Sequence, residues 1–247
     1  EDERNLPYMA AQQLFSEAGV GERPLRMRVF NRIPVARGLG FSGAGRIAGM
    51  LVANALMGEP MGRKEILDMA AELEGHPDNV VASMVGGVVV SCLTEEGVRF
   101  VRIEPPPRLR LVLAIPEMPL ETQRAREALP ERVPLSNAIF NLGRCALLVA
   151  ALAKRDFSAL EAAVEDRLHQ PYREGLLPFL REAIEEARKA GARGAALAGA
   201  GPTVVALTDR NEEEVARSMS RALRAHGVPH TVKILEPERQ GARVEVL

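Results

Sequence analysis

The sequence predicts an α+β fold in two parts, and three observations carry that prediction. The 247 residues are 47% hydrophobic, enough to bury one large core or two ordinary ones. Hydrophobic spacing is mixed, with helical periods and strand-like alternation in both halves. The run Pro105-Pro106-Pro107 interrupts every regular structure and places a domain boundary between residues 1–106 and 107–247.

Each element follows from local pattern. Pro7 to Ala18 has Met9, Ala10, Gln13, Leu14 and Ala18 at helical intervals. Leu25 to Asn31 alternates apolar and polar, the mark of a strand with one buried face. A loop over Arg32 to Gly43 leads into a small-residue helix, Ala44 to Met57. Arg63 to Glu74 reads as the next helix, and the polar turn Gly75 to Asp78 joins it to a short helical segment. Gly86 to Cys92 and Val98 to Ile103 read as strands meeting at Glu95-Glu96-Gly97. Beyond the prolines come a strand (Leu109 to Ile115) and helices over Pro134–Lys154, Ser158–Leu168 and Glu174–Ala190. Then follow a strand (Gly194 to Ala198), a glycine turn (Gly199 to Pro202), a strand (Thr203 to Thr208), a helix (Asn211 to His226), and strands at Thr231–Leu235 and Arg243–Leu247.

Composition excludes several classes. Charged residues make up 26% and there is no low-complexity tract, which rules out general disorder. The 32 basic and 33 acidic residues nearly cancel, so bulk charge favours neither a nucleic-acid nor a membrane-surface partner. Cys92 and Cys145 sit in apolar runs and are expected to be buried, inert thiols of a reducing compartment. The apolar stretch Ile47–Met57 is too short to span a bilayer. A soluble, cytoplasmic protein is expected.

Pro34-Val35-Ala36-Arg37-Gly38-Leu39-Gly40-Phe41-Ser42-Gly43-Ala44 is the most informative stretch. Glycines let backbone N–H groups approach an anion, and the following helix adds its positive N-terminal end. Gly38-x-Gly40-x-x-Gly43 matches a dinucleotide fingerprint in spacing, but six residues separate it from the preceding strand and no ribose-binding acid follows on a second strand. A Walker loop needs Gly-Lys-Ser/Thr, which Gly45-Arg46-Ile47 lacks.

The pattern Pro34-x-x-x-Gly38-Leu39-Gly40-x-Ser42-x-Ala44 resembles the phosphate loop of the GHMP kinases. Glu74-Gly75-His76-Pro77-Asp78-Asn79, ahead of Gly86-Gly87, resembles the second signature of their homoserine kinase branch. Ala198-Gly199-Ala200-Gly201-Pro202-Thr203 resembles the third, C-terminal glycine motif. Asn141-Leu142-Gly143-Arg144 and Asp166 to Arg173 resemble the same branch, and all these segments fall in family order. Two departures stand out. Phe41 and Gly43 replace a serine and an alanine of the loop, and nothing matches the family's opening Pro-Ala-Thr-Ser-Ala-Asn-Leu-Gly-Pro-Gly motif. The chain is therefore expected to lack the family's first segment.

The resemblance implies the two-domain GHMP kinase fold: a ribosomal S5 domain 2-like N-terminal domain (1–106) and a ferredoxin-like C-terminal domain (107–247). It further implies ATP and Mg²⁺ as cofactors, L-homoserine as the second substrate and a homodimer. The nucleotide would lie along Pro34 to Ala44. Ser42 and Glu74 would hold the metal, with Glu72 a rival two residues away. Asp78 would take the attacking hydroxyl's proton, or else cap the helix that follows. His76 and Asn79 would bind the amino-acid substrate. Arg173 and Arg144 would pair with its carboxylate in two parallel bonds, although arginine supplies 28 of the 32 basic residues and most must be ordinary surface groups. His169 would orient Arg173 or simply pack, and Arg37 would touch the nucleotide. Gly199 and Gly201 would wall the substrate or merely join two strands. The alternatives are another GHMP kinase of a small alcohol, or a nucleotide-binding protein without catalysis.

Overall fold

Asn5 accepts a hydrogen bond from the Tyr8 N–H, and Pro7 occupies the first turn, so α1 runs over Leu6–Glu17. The computed structural model describes residues 5–120 and 122–245. The chain divides into two compact units, one of Glu1–Ile33, Gly40–Glu104 and Glu238–Leu247, the other of Pro34–Leu39 and Pro105–Pro237.

In the first unit α1 is followed by α2 (Phe41–Leu56), α3 (Arg63–Glu74), α4 (Asp78–Val85) and an antiparallel hairpin, β1 (Val88–Thr94) with β2 (Gly97–Ile103). Glu65 accepts from the Gly62 N–H at 2.6 Å and starts α3, and Gly75, at φ 81°, ends it. The helices meet over Leu14, Phe15, Ile47, Met50, Ile66, Val80 and Met84. Each such fully buried side chain contributes roughly 1.5–3 kcal/mol relative to exposure.

The second unit carries β3 (Arg110–Pro116), α5 (Thr122–Glu127), α6 (Leu135–Lys154), a 3₁₀ turn at Phe157–Ala159, α7 (Leu160–Ala163), α8 (Gln170–Arg173) and α9 (Leu180–Lys189). It continues with β4 (Gly194–Leu197), β5 (Val204–Thr208), α10 (Glu212–Ala225) and β6 (His230–Leu235). The strands form one antiparallel sheet in the order β4-β5-β3-β6. That order, with α9 and α10 packing through Leu180, Ala183, Val215, Met219 and Leu223 onto Val112, Ala114, Val204 and Ala206, is a ferredoxin-like arrangement.

Several expectations need correction. Leu25–Asn31 forms no strand: Leu25 and Met27 are partly buried as the alternation requires, but no described strand pairs with them and Phe30 is 83% exposed. The helix expected over Ser158–Leu168 stops at Ala163, because the Asp166 carboxylate collects the N–H groups of Leu168, His169 and Gln170 and turns the chain. The helix expected from Glu174 begins at Leu180, just after Pro178. Arg243–Glu245 is not strand, and the last two residues of that expected strand lie outside the described residues. α2 starts three residues earlier than expected, directly after Gly40 in the left-handed region at φ 73°.

Both cysteines are exposed, against expectation. Cys92 lies on the open side of a hairpin, and Cys145 on α6, whose described burial is confined to Ala151 and Leu152. α6 is also long and apolar enough, by length and composition alone, to span a bilayer, which the reading of Ile47–Met57 had not anticipated.

Candidate active site

The glycine stretch contributes to both units, with Gly40 to Ala44 in the first. Gly40 ends the loop and Phe41, Ser42 and Gly43 form the opening turn of α2, so the unpaired N–H groups of that turn surround Ser42. A Cβ at Gly43 would stand 2.9 Å from Asn79 backbone and side-chain atoms. Only glycine lets the start of α4 approach α2 this closely, and the approach sets Asn79 beside Gly40.

Glu74, the last residue of α3, meets Ser42 directly. The Ser42 hydroxyl donates to Glu74 Oε2 at 2.7 Å, and Arg46 Nε donates to the same oxygen at 2.5 Å. The Glu74 side chain is 9% exposed, whereas Glu72 faces outward. Of the two rival carboxylates, Glu74 is the one the fold brings to the serine. Arg46 was not anticipated, yet its signal was present: four residues after Ser42, it shares that face of the helix.

The His76 ring Nδ1 lies 2.5 Å from Asp78 Oδ1, which also accepts from the Asn79 N–H at 2.7 Å. Asp78 therefore serves the first turn of α4 and holds His76 through one oxygen, while the carboxylate as a whole stays largely exposed.

Pro34 to Leu39 belongs to the second unit. Arg37 is bound to backbone carbonyls: Nε to Pro116 O at 2.7 Å, Nη1 to Val35 O at 2.9 Å, and Nη2 to Glu117 O. The guanidinium expected at the nucleotide instead staples the loop to the end of β3. Gly38, at φ 70°, is pressed against the third glycine motif, and a Cβ there would fall 2.1 Å from Ala198 O and 2.8 Å from Gly201 N.

Arg173 is buried and donates to Gly199 O at 3.0 Å and Ala125 O at 3.2 Å, locking the glycine turn from behind. Burial pulls its pKa below the usual arginine value, with Asp166 opposing that shift. Arg144 pairs with Glu165 at 2.9 Å and lies over the Phe140 ring, 4.2 Å from its centroid. His169 does not orient Arg173; its ring reaches Asp166 at 3.7 Å and is mostly exposed.

Two segments singled out separately in the sequence join here. Asn141 Nδ2 donates to Asp166 Oδ1 at 2.6 Å, and Asn141 Oδ1 accepts from the Arg167 N–H. Burial acts to raise the Asp166 carboxyl, but the N–H groups of Gln170, Leu168 and His169, with the Asn141 amide, hold it below the usual aspartate value. The Asp166 segment was singled out by motif, but neither the organising role of its carboxylate nor Glu165 as the partner of Arg144 was anticipated. Thr203 Oγ1, within the third glycine motif, is buried with no partner among the described residues.

The N-terminal domain of the GHMP kinases matches residues 5–87, and their C-terminal domain matches residues 148–227. The chain belongs to the GHMP kinases, and their fold is its fold. Its relatives place it more narrowly. The homoserine kinase of Carboxydothermus hydrogenoformans is 42% identical over 241 residues, spanning 98% of this chain and 79% of the relative. That of Moorella thermoacetica is 42% identical over 242 residues, spanning 98% and 82%. The crystal structure of homoserine kinase from Cytophaga hutchinsonii matches with a TM-score of 0.87 at 26% identity, over 97% of this chain and 78% of that one. Within the GHMP kinases, this is a member of the homoserine kinase family.

Proposed function

We propose that this chain transfers the γ-phosphoryl group of ATP to the side-chain hydroxyl of L-homoserine, with residues 1–106 as its nucleotide domain and 107–247 as its second domain. The observation that carries the reading is the convergence of the Ser42 hydroxyl and the Glu74 carboxylate at the glycine-opened N-terminus of α2. Phosphoryl transfer asks the protein chiefly for positioning and charge neutralisation. The N–H groups of Phe41, Ser42 and Gly43 in the opening turn of α2 provide the first for an anion.

Mg²⁺ fits the donor set. A hydroxyl and a carboxylate are the hard oxygen ligands it takes beside phosphate oxygens and water. Arg46 already occupies Glu74 Oε2, so the ion would share or displace that contact. Ser42 and Glu74 would hold the ion, which when bound neutralises charge on the phosphate oxygens. Asp78 would accept the homoserine hydroxyl proton, with Oδ1 engaged by His76 and Asn79 and Oδ2 as the acceptor. His76 and Asn79 would contact the amino acid. Arg173, through Gly199, would set the turn of Gly199 to Gly201 rather than expose a full guanidinium fork.

A homodimer and a cytoplasmic location complete the proposal, supported by membership of the family. A coupled ADP-release assay over a panel of small alcohols tests the substrate. Activity on L-homoserine above the other alcohols is expected. Activity elsewhere and none on homoserine would overturn the substrate, and ATP binding without turnover would favour a non-catalytic nucleotide-binding protein.

A further inference from the structure

Two side chains of one short helix hold the third glycine motif from behind. α8 carries Gln170 and Arg173 three residues apart, on one face of a single helical turn. Gln170 Oε1 accepts from the Leu197 N–H at 2.8 Å, and Arg173 Nη1 donates to Gly199 O at 3.0 Å. β4 is an outer strand of its sheet and pairs with β5 alone among the described strands. The Ala198 N–H turns inward to Thr203 O at 2.8 Å, so the N–H of its neighbour Leu197 faces the open edge. Gln170 closes that edge where β4 ends and the turn of Gly199 to Gly201 begins. Its amide nitrogen bonds to no described residue, so the side chain works here as an acceptor.

α8 is itself fixed from outside. The Asp166 carboxylate takes the N–H groups of Leu168, His169 and Gln170, and Asn141 of α6 holds Asp166 in turn. On its other side the turn meets the glycine stretch. A Cβ on Gly199 would stand 3.1 Å from Gly38 O, and one on Gly38 would fall 2.1 Å from Ala198 O, so backbone lies on backbone with no side chain between. Arg37 and the bond from the Leu120 N–H to Ala36 O hold the neighbouring residues beside the end of β3. All these residues belong to the second unit. Leu39 and Gly40 follow Gly38 directly and lead into the first turn of α2. A shift of the glycine turn therefore displaces Gly38 and is carried along the chain toward the N–H groups of that first turn.

We propose that Gln170 is a positioning residue for nucleotide binding, acting through Leu197 and the glycine turn on the loop that takes the phosphates. The proposal rests on the reading of Pro34 to Ala44 as the nucleotide's loop. Gln170 touches no reacting group. Its side-chain oxygen decides where β4 stops, and that end point decides how closely the turn lies on Gly38. Without the acceptor, the part-buried Leu197 N–H is left unpaired, which costs more than the bond itself was worth. The strand end regains a partner by moving toward water, and the turn leaves Gly38 with it.

Calorimetric titration with a non-hydrolysable ATP analogue, steady-state kinetics, and hydrogen exchange over residues 35–39 test it in the full chain. Gln170→Leu removes the acceptor at similar size. It is expected to weaken analogue binding and raise KM for ATP by about tenfold, with kcat within about threefold of the parent. Gln170→Asn keeps the amide but withdraws it by one methylene, and is expected to weaken binding likewise. Gln170→Glu restores an acceptor oxygen and is expected to return to within about threefold of the parent. Without nucleotide, the amides of residues 35–39 should exchange about fivefold faster or more in Gln170→Leu, and at the parental rate in Gln170→Glu. A purely structural part would lower the urea midpoint and leave KM for ATP unchanged; that result, or a fall in kcat at constant KM, would overturn the proposal. A parent that binds the analogue, with variants that bind it equally well, would overturn the proposal alone. A parent that binds no nucleotide would overturn the reading of the loop as well.

Discussion

At the proposed metal site Arg46 and the ion would compete for one oxygen, and the competition can be measured. In the structure Arg46 Nε lies 2.5 Å from Glu74 Oε2, with side-chain exposures of 23% and 9%. At that separation the gross attraction is about 7 kcal/mol for an effective dielectric near 20. Desolvation of both groups returns most of it, which leaves about 1–2 kcal/mol net for a pair between the surface and interior cases. A cation entering between Ser42 and Glu74 must overcome that net amount. Arg46→Gln removes it, so Mn²⁺, used as a paramagnetic stand-in for Mg²⁺, should bind the nucleotide-free protein about 5–30-fold more tightly. The same variant leaves the buried carboxylate without its counter-charge. Without metal it should unfold at lower urea, and saturating Mg²⁺ should recover the difference. Glu74→Gln should move the other way, losing Mn²⁺ binding altogether. Electron paramagnetic resonance titration of free Mn²⁺ reads both. Unchanged Mn²⁺ affinity in Arg46→Gln would refute the shared-oxygen reasoning, as would tighter binding in Glu74→Gln.

Three further outcomes follow from the geometry. Ser42→Ala deletes the hydroxyl bonded to Glu74 and should lower kcat/KM by about 10–100-fold, with the fold intact by circular dichroism; full activity would remove Ser42 from the metal site. Gly38→Ala sets a Cβ 2.1 Å from Ala198 O on a residue at φ 70°, so urea unfolding should show a loss of about 2 kcal/mol or more, and no loss would contradict the close packing of loop and turn. The Asp166 carboxyl is held below its usual value in the folded protein, so the unfolded chain takes up a proton at higher pH than the folded one. Its contribution is therefore complete above the unfolded aspartate value of about 3.9 and is lost as pH falls through the lower folded value. The stability gap between parent and Asp166→Asn should narrow on that acid side, and urea midpoints that keep a constant gap there would contradict the assignment.

The sequence was most legible where one residue type does one local job. The glycine stretch, the acidic end of α3 and the turn through Asp78 were visible because their chemistry lies in short, ordered motifs. Helical phase then separated Glu74 from Glu72, a choice that spacing alone left open. What stayed hidden depends on partners distant in the chain. Arg37 looked like a nucleotide contact but is spent on carbonyls at the end of β3, nearly eighty residues on. Arg173 looked like an open fork and is buried behind the Gly199 turn. Periodicity cannot see a carboxylate such as Asp166 gathering three backbone N–H groups, and so it extended a helix through that knot. Alternation at Leu25–Asn31 matched the partial burial of Leu25 and Met27 but not Val29, which is exposed on the same side, and a strand also needs a neighbour. Cys145 misled because α6 is apolar on nearly every side, and its composition does not say which side is covered.

Phosphorus NMR of the protein mixed with Mg·ATP and L-homoserine tests the central claim most directly. The resonance of a new phosphomonoester should grow in step with ADP, and omission of homoserine should abolish both. ATP that stays intact, or that yields only inorganic phosphate whether or not homoserine is present, would contradict it.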